Sequence, residues 1–284
     1  MINRIKKEIL RYFPVEICNL IANFLVEDVC EIRIRINRPV ILKTKNKEII
    51  INRIIKKEEI ERIFESICGN SVYAFEEEIS NGFITISGGH RVGISGKPLY
   101  RNEKIYMIKD ISGLNFRIAR EVIGFADNII PKIKINGEFV STLIISPPGI
   151  GKTTLLRDLV RQISDSGYNV SLIDERSEIA SCFQGIPQND IGIRTDIMDA
   201  VYKVDGIKMM VRSMRPDFIA TDEIGTDEDA EAIFYAVNCG TKILATAHGN
   251  KVEDLYKSKK MKEVLECNIF EKIVLMGKDE IKIF

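Results

Sequence analysis

The sequence lacks any uninterrupted apolar run long enough to cross a bilayer, although 45% of its 284 residues are hydrophobic. It also lacks net charge, because 41 basic residues balance 41 acidic ones. The first absence predicts a soluble globular chain with no direct membrane span, large enough for one or two ordinary cores. The second removes any global attraction to nucleic acid or to an anionic membrane surface and leaves only local patches.

Paired cysteine motifs and a signal-peptide pattern are absent as well. The six cysteines, at positions 18, 30, 68, 182, 239 and 267, are widely spaced, and none belongs to a C-x-x-C motif. Lys6, Lys7 and Glu8 interrupt the apolar residues near the N-terminus. These features predict reduced thiols and a cytoplasmic location.

Two halves of the chain differ in their patterns, which predicts two domains, 1–127 and 128–284. Residues 1–127 mix helical signals with β-type runs such as CEIRIRI, which favours a smaller α+β domain. Within that half, SNGFITISGGHRVGISGK intersperses five glycines with β-branched residues and predicts a hairpin or bent sheet with bulges. Residues 128–284 alternate strand and helix signals, which is typical of an α/β domain.

The segment ISPPGIGKTTLLRD, residues 145–158, matches the G-x-x-x-x-G-K-[ST] phosphate loop except that Ser146 replaces the first glycine. Gly149 and Gly151 permit the backbone angles and the close approach that let successive N–H groups wrap an anion. Serine is small enough to enter the turn. The pattern therefore predicts a nucleotide-phosphate site in spite of the substitution.

The flanks of this loop supply the context that the motif requires. Ser141 to Ser146 predict a buried strand before the loop, and Thr154 to Ile163 predict a helix after it. Lys152 is expected to meet the β- and γ-phosphates of ATP, and Thr153 is expected to offer its hydroxyl to Mg²⁺. The loop residues predicted to contact the nucleotide are Ser146, Pro147, Pro148, Gly149, Ile150, Gly151, Lys152, Thr153 and Thr154.

Two further predicted strands end in carboxylates. PDFIATDE predicts a strand beside the phosphate loop that ends in Asp222 and Glu223. Asp222 is expected to hold the Mg²⁺ shell through water, and Glu223 to polarise the attacking water. NVSLIDERSEI predicts another strand ending near Glu175, after which Ser177 to Glu178 can start a helix. Since ligands bind at the carboxyl edge of such sheets, Glu175 competes with Glu223 as general base, and the sequence leaves that choice open.

A third strand and a helix add the remaining candidates. KILATAH ends in His248, one of two histidines, which can sense the γ-phosphate by hydrogen bonding, although a lone histidine is more often structural. The residues from Gly206 to Met214 predict a helix that carries Arg212, with Arg215 one turn further. These arginines could point at the nucleotide of a neighbouring subunit, which would accelerate phosphoryl transfer strongly, or they could simply be solvated.

The motifs together resemble a known family along nearly the whole chain. SPPGIGKTTLLRD, LIDERSEI, RTDIMD, VRSMRPDFIATDEIG and ATAHG, with EIRIRINRP, YAFEEEISNGFITISGGHRVGISG and FRIARE upstream, resemble the stage III sporulation protein AA family of endospore-forming bacteria. The S-P-P-G form of the loop is usual in that family. The C-terminal half is also similar to the secretion-traffic ATPases of type II, type IV and pilus systems.

This resemblance implies a RecA-like P-loop NTPase domain behind a smaller α+β N-terminal domain, assembled as a homo-hexameric ring. It implies an ATPase in the mother-cell cytoplasm, peripheral to the membrane through channel proteins that face the forespore. The tetracysteine metal module of many type II relatives is missing, so no zinc site is expected. The residues that inherit family roles are Lys152 and Thr153 for phosphate and Mg²⁺, Glu175 and Glu223 for the acidic positions, His248 for the histidine box, and Arg212 and Arg215.

Two other functions compete with a secretion-type motor. A RecA-like ring could act on nucleic acid, but the neutral charge and the scarcity of aromatic residues in basic segments argue against it. KKEEIERIF and YKSKKMKE leave local basic spots that such a ring could use. A nucleotide-gated scaffold that binds ATP and barely hydrolyses it is the third possibility.

Overall fold

The chain divides into two units. The computed structural model describes residues 2–24, 29–44, 46–69, 71–278 and 280–284. One unit comprises Met1–Arg120 with Ser181–Gln188, and the other comprises Glu121–Ala180 with Asn189–Phe284. The short segment Ser181–Gln188 therefore groups with the N-terminal unit although it lies far along the sequence. Among the described residues, no helix is both long and apolar enough to cross a bilayer.

An antiparallel sheet of six strands organises the N-terminal unit. Its strands are β1 (Val29–Arg35), β2 (Pro39–Thr44), β3 (Glu48–Ile54), β4 (Phe83–Ile86), β5 (His90–Arg101) and β6 (Lys104–Arg117). In the sheet they lie in the order β3-β2-β1-β6-β5-β4. Strand alternation buries Ile32 and Ile34 of β1 and leaves Arg33 and Arg35 on the exposed face.

The helices of this unit cover the buried face of the sheet with apolar side chains. They are α1 (Ile2–Leu10), α2 (Val15–Ala22), α3 (Lys57–Ile67) and α4 (Glu76–Ser80). Helix α3 buries Ile60, Ile63, Phe64 and Ile67, which recur at the spacing of one helical face. The glycine-rich segment forms the β4–β5 hairpin, and a bulge interrupts β5 between Ser95 and Lys97. The predicted hairpin with bulges is confirmed.

A mostly parallel sheet organises the C-terminal unit. After a short hairpin of β7 (Lys134–Ile135) and β8 (Glu138–Phe139), its strands are β9 (Thr142–Ser146), β10 (Val170–Asp174), β11 (Thr195–Asp199), β12 (Phe218–Thr221), β13 (Lys242–His248), β14 (Lys272–Met276) and β15 (Ile281–Ile283). They lie in the order β11-β10-β12-β13-β9-β14-β15, and β15 alone runs antiparallel to its neighbour. Strands β9, β10 and β12 are buried throughout, as expected when helices cover both faces.

The helices that connect these strands are α5 (Lys152–Asp165), α6 (Lys203–Met214), α7 (Asp227–Asn238) and α8 (Lys259–Glu266). Because β9, β10, β12 and β13 are parallel, the loops after them meet at one edge of the sheet. The α/β architecture of this half is confirmed. The strand before Asp222, β12, ends beside the phosphate loop as predicted, although β13 lies between β12 and the phosphate-loop strand β9.

No helix starts at Ser177 to Glu178, contrary to the sequence prediction. The chain forms a loop there, and Ser177 adopts a left-handed conformation with φ 52°. The Asp174 carboxylate accepts the backbone N–H groups of Glu178, Ile179 and Ala180. A side chain thus satisfies these N–H groups, and the loop needs no helix to pair them.

Candidate nucleotide site

The phosphate loop connects β9 to α5 through two left-handed glycines. Gly149 has φ 78° and Gly151 has φ 111°, which are conformations that side chains rarely adopt. A Cβ at Gly149 would meet no atom within 4 Å, so the backbone angle is what requires glycine there. Ser146 ends β9 as a fully buried residue whose hydroxyl donates to the carbonyl of Pro147 at 2.9 Å. The structure therefore accommodates serine at the position of the first glycine, at the end of the strand.

Lys152 opens α5 and contacts a histidine from another strand. Its side chain is buried, and Nζ lies 3.4 Å from the carbonyl of Ser146 and 2.9 Å from Nδ1 of His248. Burial lowers the pKa of Lys152, and the negative charges of Asp222 and Glu223 oppose this effect. An ammonium can only donate, so Nδ1 of His248 accepts and the ring proton lies on Nε2.

That ring proton is directed at the predicted general base. Nε2 of His248 lies 2.8 Å from Oε1 of Glu223, and Nη1 of Arg176 lies 2.7 Å from Oε2 of the same carboxylate. Both oxygens of Glu223 therefore have partners. The imidazole joins Lys152 to Glu223 in one continuous chain of hydrogen bonds, which we call the lysine–histidine–glutamate relay.

Asp222 and Thr153 lie together beside this relay. The hydroxyl of Thr153 donates to Oδ2 of Asp222 at 3.1 Å, and the hydroxyl of Thr246 donates to Oδ1. The backbone N–H of Glu223 lies 3.0 Å from the same Oδ1. A threonine hydroxyl and a carboxylate are oxygen ligands of the kind that Mg²⁺ prefers, so this pair fits the predicted metal role.

Glu223 occupies a strained turn that several contacts hold in place. Its φ of 50° is left-handed, which for a residue other than glycine costs about 1–3 kcal/mol. Its carbonyl accepts a hydrogen bond from Nζ of Lys203 at 2.9 Å. The next residue, Ile224, donates its N–H to the carbonyl of Thr246 at 2.8 Å. The conformation of the predicted base thus depends on residues from α6 and β13.

Lys203 links the two candidate bases. Only 6% of its side chain is exposed, and Nζ lies 3.7 Å from Oε2 of Glu175 and 3.6 Å from Oδ1 of Asp229. Asp229 in turn accepts the N–H groups of Gly225 and Thr226, which follow Glu223 in the turn. The ammonium is therefore shared by two carboxylates and fixes the turn at the carbonyl of Glu223.

Asp174 and Arg157 hold the loop that carries Glu175. Asp174 is almost completely buried, and this burial raises its pKa from 3.8 to about 6 although its three backbone hydrogen bonds act in the opposite direction. Arg157, buried on α5, donates to the carbonyls of Glu178 and Ile179. Burial lowers the pKa of Arg157, and nearby carboxylates oppose this effect. Asp174 and Arg157 thus fix the backbone of this loop by hydrogen bonds.

Arg212 and Arg215 lie at the opposite edge of the sheet. Together with Tyr235 and the residues preceding β12 and β13, they line a cleft of about 390 Å³. Nε of Arg212 donates to the hydroxyl of Tyr235 at 3.1 Å. Along α6, Arg212 is about 14 Å from Lys203 at the rise of an α-helix. Within one chain the structure does not bring these arginines to the phosphate loop.

Five sequence-predicted residues thus come together at the carboxyl edge, namely Lys152, Thr153, Asp222, Glu223 and His248. Sequence reasoning missed three neighbours of this cluster. Arg176 lies in the acidic segment after β10, and Thr246 lies two positions before His248 on β13. Both are near the carboxyl end of a strand, which is the sequence signal that could have identified them. Lys203 gave no signal, because nothing local predicts the burial of a lysine at a helix start.

Known proteins are similar to this chain in sequence, and solved structures are similar to it in fold. The family described as "Sporulation stage III, protein AA" matches residues 3–282. Stage III sporulation protein AA of Bacillus subtilis (strain 168) is 40% identical over 253 residues, which cover 87% of this chain and 82% of that protein. Protein SEEDLING PLASTID DEVELOPMENT 1 of Arabidopsis thaliana is 33% identical over 161 residues, which cover 56% of this chain and only 22% of the plant protein.

Among solved structures, two ATPases are similar in fold. The pilus retraction motor PilT, crystallised with bound ADP, superimposes with a TM-score of 0.62 at 16% identity, covering 88% of this chain and 74% of PilT. The ATPase DotB of Legionella pneumophila gives 0.58 at 18% identity, covering 87% of this chain and 72% of DotB. The fold is therefore the RecA-like fold of secretion ATPases. Because the family match spans residues 3–282, the chain belongs to the Sporulation stage III, protein AA family.

Proposed function

We propose that the chain is an ATP-hydrolysing motor of the secretion-ATPase type that acts during sporulation. The observation that carries this proposal is the relay from Lys152 through His248 to Glu223, beside the Thr153–Asp222 pair. The relay connects the cation that would meet the phosphates to the carboxylate that would activate water. A loop without a phosphate role would not require partners for Lys152 and Thr153 from the ends of two other strands, β12 and β13.

Each residue of the site has a specific task in this proposal. The N–H groups around Gly149 and Gly151 wrap the phosphates, and Lys152 neutralises their charge. Thr153 and Asp222 hold Mg²⁺, with Asp222 acting through water, and the ion offsets further phosphate charge. Of the remaining loop positions, Ile150 and Thr154 can donate their backbone N–H groups to the nucleotide, whereas Pro147 and Pro148 have no N–H and only shape the loop.

The contacts of Glu223 and Glu175 favour Glu223 as general base. Oε1 of Glu223 accepts a hydrogen bond from Nε2–H of His248, and Glu223 lies beside Asp222 in sequence and in space. Glu175 is 40% exposed and has Lys203 at 3.7 Å as its ion-pair partner. We therefore assign Glu223 to activate water and Glu175 to the support of the neighbouring turn.

The relay also couples nucleotide binding to the release of the base. Nζ of Lys152 lies 2.9 Å from Nδ1 of His248, so a shift of Nζ toward a bound phosphate would lengthen this contact. Once Lys152 moves to the phosphate, Nδ1 loses its donor, and the imidazole tautomer with the proton on Nδ1 can donate to the γ-phosphate. In that tautomer Nε2 no longer donates to Glu223. His248 is then the sensor that releases Glu223 only when a nucleotide is bound.

The arginines act across a subunit interface in this proposal. Arg212 and Arg215 lie at the amino edge of the sheet, so they cannot act on the nucleotide of their own chain. In a ring of subunits, six by the family resemblance, they can reach the nucleotide of the neighbouring subunit. The motor works in the mother-cell cytoplasm, peripheral to the membrane. It energises the assembly or the transport of a channel facing the forespore, whose membrane-bound proteins are its partners.

The direct test is Mg²⁺-dependent ATP turnover by the purified full chain. Glu223→Gln should keep ATP affinity and lose turnover, whereas Lys152→Ala should lose affinity, and light scattering with Mg-ATP should show a hexamer. Unchanged ATP affinity in Lys152→Ala would refute the site. Turnover that rises with added DNA would favour a nucleic-acid motor, and ATP binding without turnover would favour a nucleotide-gated scaffold.

A further inference from the structure

The exposed face of the N-terminal sheet carries a hollow of about 280 Å³. It lies over strands β1, β6 and β5, at the middle of the sheet. Two rows of cross-strand neighbours form it: Arg35, Gly113 and Ser95 in one row, and Arg33, Asn115 and Gly93 in the next. Two glycines thus leave the backbone bare between side chains that can form hydrogen bonds.

Packing within the sheet explains one of the two glycines. A Cβ at Gly113 would lie 2.9 Å from Cγ of Arg35, 2.9 Å from Oγ of Ser95 and 3.1 Å from the carbonyl of Ile34. A side chain at this position would displace its neighbours. Gly113 is therefore required by the fold, whatever occupies the hollow.

The same explanation fails for Gly93. Its backbone is not left-handed, and the nearest atoms to an added Cβ, both in Asn115, would be 3.8 Å away at ordinary contact distance. A glycine inside a strand weakens the strand, so its presence without a steric reason needs another cause. Close approach of a bound group to the bare backbone is the cause that fits this position.

The rim of the hollow is basic. Arg33 pairs with Glu31 at 2.7 Å, whereas the guanidinium of Arg35 has no hydrogen-bond or ion-pair partner among the described residues. Arg117 and Arg91 follow in the next row of the same face, opposite Glu31. In these three rows of β1, β6 and β5, four arginines lie near one glutamate, which makes this part of the face attractive to anions.

Acceptor atoms also line the hollow. Oδ1 of Asn115 is buried without a hydrogen-bond partner in the described part of the chain. Oγ of Ser95 donates to the carbonyl of Gly113 at 3.1 Å and keeps lone pairs for a donor. An occupant therefore needs both an anionic group and an N–H or O–H group.

We propose that this hollow binds an acidic side chain on an extended segment of a partner protein. The planar guanidinium of Arg35 matches a carboxylate, and the backbone N–H groups of a peptide can donate to Asn115 and Ser95. A phosphate would instead meet those acceptors without further donors, because the strand N–H groups of β5 and β6 are used in the ladder. The inference does not depend on ATP hydrolysis.

The test uses the full chain and a fluorescein-labelled octapeptide of alternating Ser and Glu, with a Ser-Gln peptide as control. We expect the acidic peptide to bind and to shift the amide NMR signals of Gly93 and Gly113. Arg35→Gln and Gly93→Ala should each weaken binding about fivefold or more, as loss of a charge-assisted contact or of room predicts. Two control variants should leave binding unchanged. They are Arg101→Gln, at the end of β5 beyond the hollow, and Gly277→Ala, in the C-terminal unit.

Each other outcome would overturn the inference. Equal binding of the Ser-Gln peptide would remove the role of the carboxylate, and undiminished binding to Gly93→Ala would remove the role of the bare backbone. Inorganic pyrophosphate that shifts the two glycine signals and displaces the peptide at lower concentration would show a phosphoryl site instead. The added methyl group fits the fold by its contact distances, so loss of folding would not mask these results.

Discussion

Replacing Lys203 by methionine should slow ATP hydrolysis without weakening ATP binding. Methionine keeps most of the length of the side chain but removes the ammonium. The carbonyl of Glu223 then loses its donor at 2.9 Å, and Glu175 and Asp229 lose a cation at 3.7 and 3.6 Å. In the part of the chain that the structure describes, no hydrogen bond or ion pair joins Lys203 to the phosphate loop, so nucleotide affinity should survive.

The size of the effect follows from what remains after the change. Removing one partner of a buried ion pair costs about 3–5 kcal/mol when the other charge is left without compensation. Asp229 keeps the N–H groups of Gly225 and Thr226, so the loss is closer to that of one hydrogen bond to a charged group, about 1.5–3 kcal/mol. That amount is similar to the strain of the left-handed Glu223, about 1–3 kcal/mol, so the turn can relax. At about 1.4 kcal/mol for each factor of ten, turnover should fall roughly 10- to 100-fold.

The assay is steady-state hydrolysis combined with direct measurement of ATP affinity and of the thermal unfolding midpoint. Lys203→Met should lower kcat and leave the ATP dissociation constant within about threefold, and Lys203→Arg should recover part of kcat because it restores the charge. Lys208→Met, the same change elsewhere on α6, is the matched control. An unaltered kcat in Lys203→Met, with a lowered unfolding midpoint, would show that the lysine only stabilises the fold.

Three further predictions follow from the site. Glu223→Gln should slow hydrolysis more than Glu175→Gln at unchanged ATP affinity, and the opposite order would make Glu175 the base. Burial raises the pKa of Asp174 to about 6, so the folded protein holds the carboxyl proton more tightly than the unfolded chain does. The unfolding free energy should therefore fall by roughly 3 kcal/mol as pH rises from 3.8 to 6. In chemical denaturation, Asp174→Asn should flatten that part of the pH profile. Arg212→Ala should bind ATP but not hydrolyse it, and mixing it with Lys152→Ala should restore part of the turnover if the arginine acts in trans; mixed rings that contain both chains and stay inactive would contradict this.

Local patterns were sufficient to predict the phosphate loop and several of its supporting strands. The strand ending at His248 has the predicted bounds, Lys242–His248. The helix after the loop begins two residues before the predicted start, because Lys152 and Thr153 of the motif are themselves helical, and it ends two residues after the predicted end. Glycine, lysine and β-branched residues act through their own backbone and near neighbours, so their positions can be inferred from sequence.

Contacts between distant segments could not be predicted in this way. The pairing of His248 with both Lys152 and Glu223 depends on β13 lying between β12 and β9, and no residue in any single strand encodes that order. The grouping of Ser181–Gln188 with the N-terminal unit is similar, since it includes a hydrogen bond from the N–H of Gly88 to Gln188, 100 positions away.

The place of the two arginines, by contrast, was open to derivation from topology alone. A helix that connects two parallel strands of one sheet must run back from the carboxyl edge to the amino edge. Helix α6 precedes β12, whose carboxyl end carries Asp222, so the last turn of α6 has to lie at the amino edge. Arg212 and Arg215 belong to that end and are therefore separated from the phosphate loop of their own chain by the length of the sheet. Action within one subunit is excluded by the connection itself, and the mixed-ring experiment decides between a role at the neighbouring site and no catalytic role.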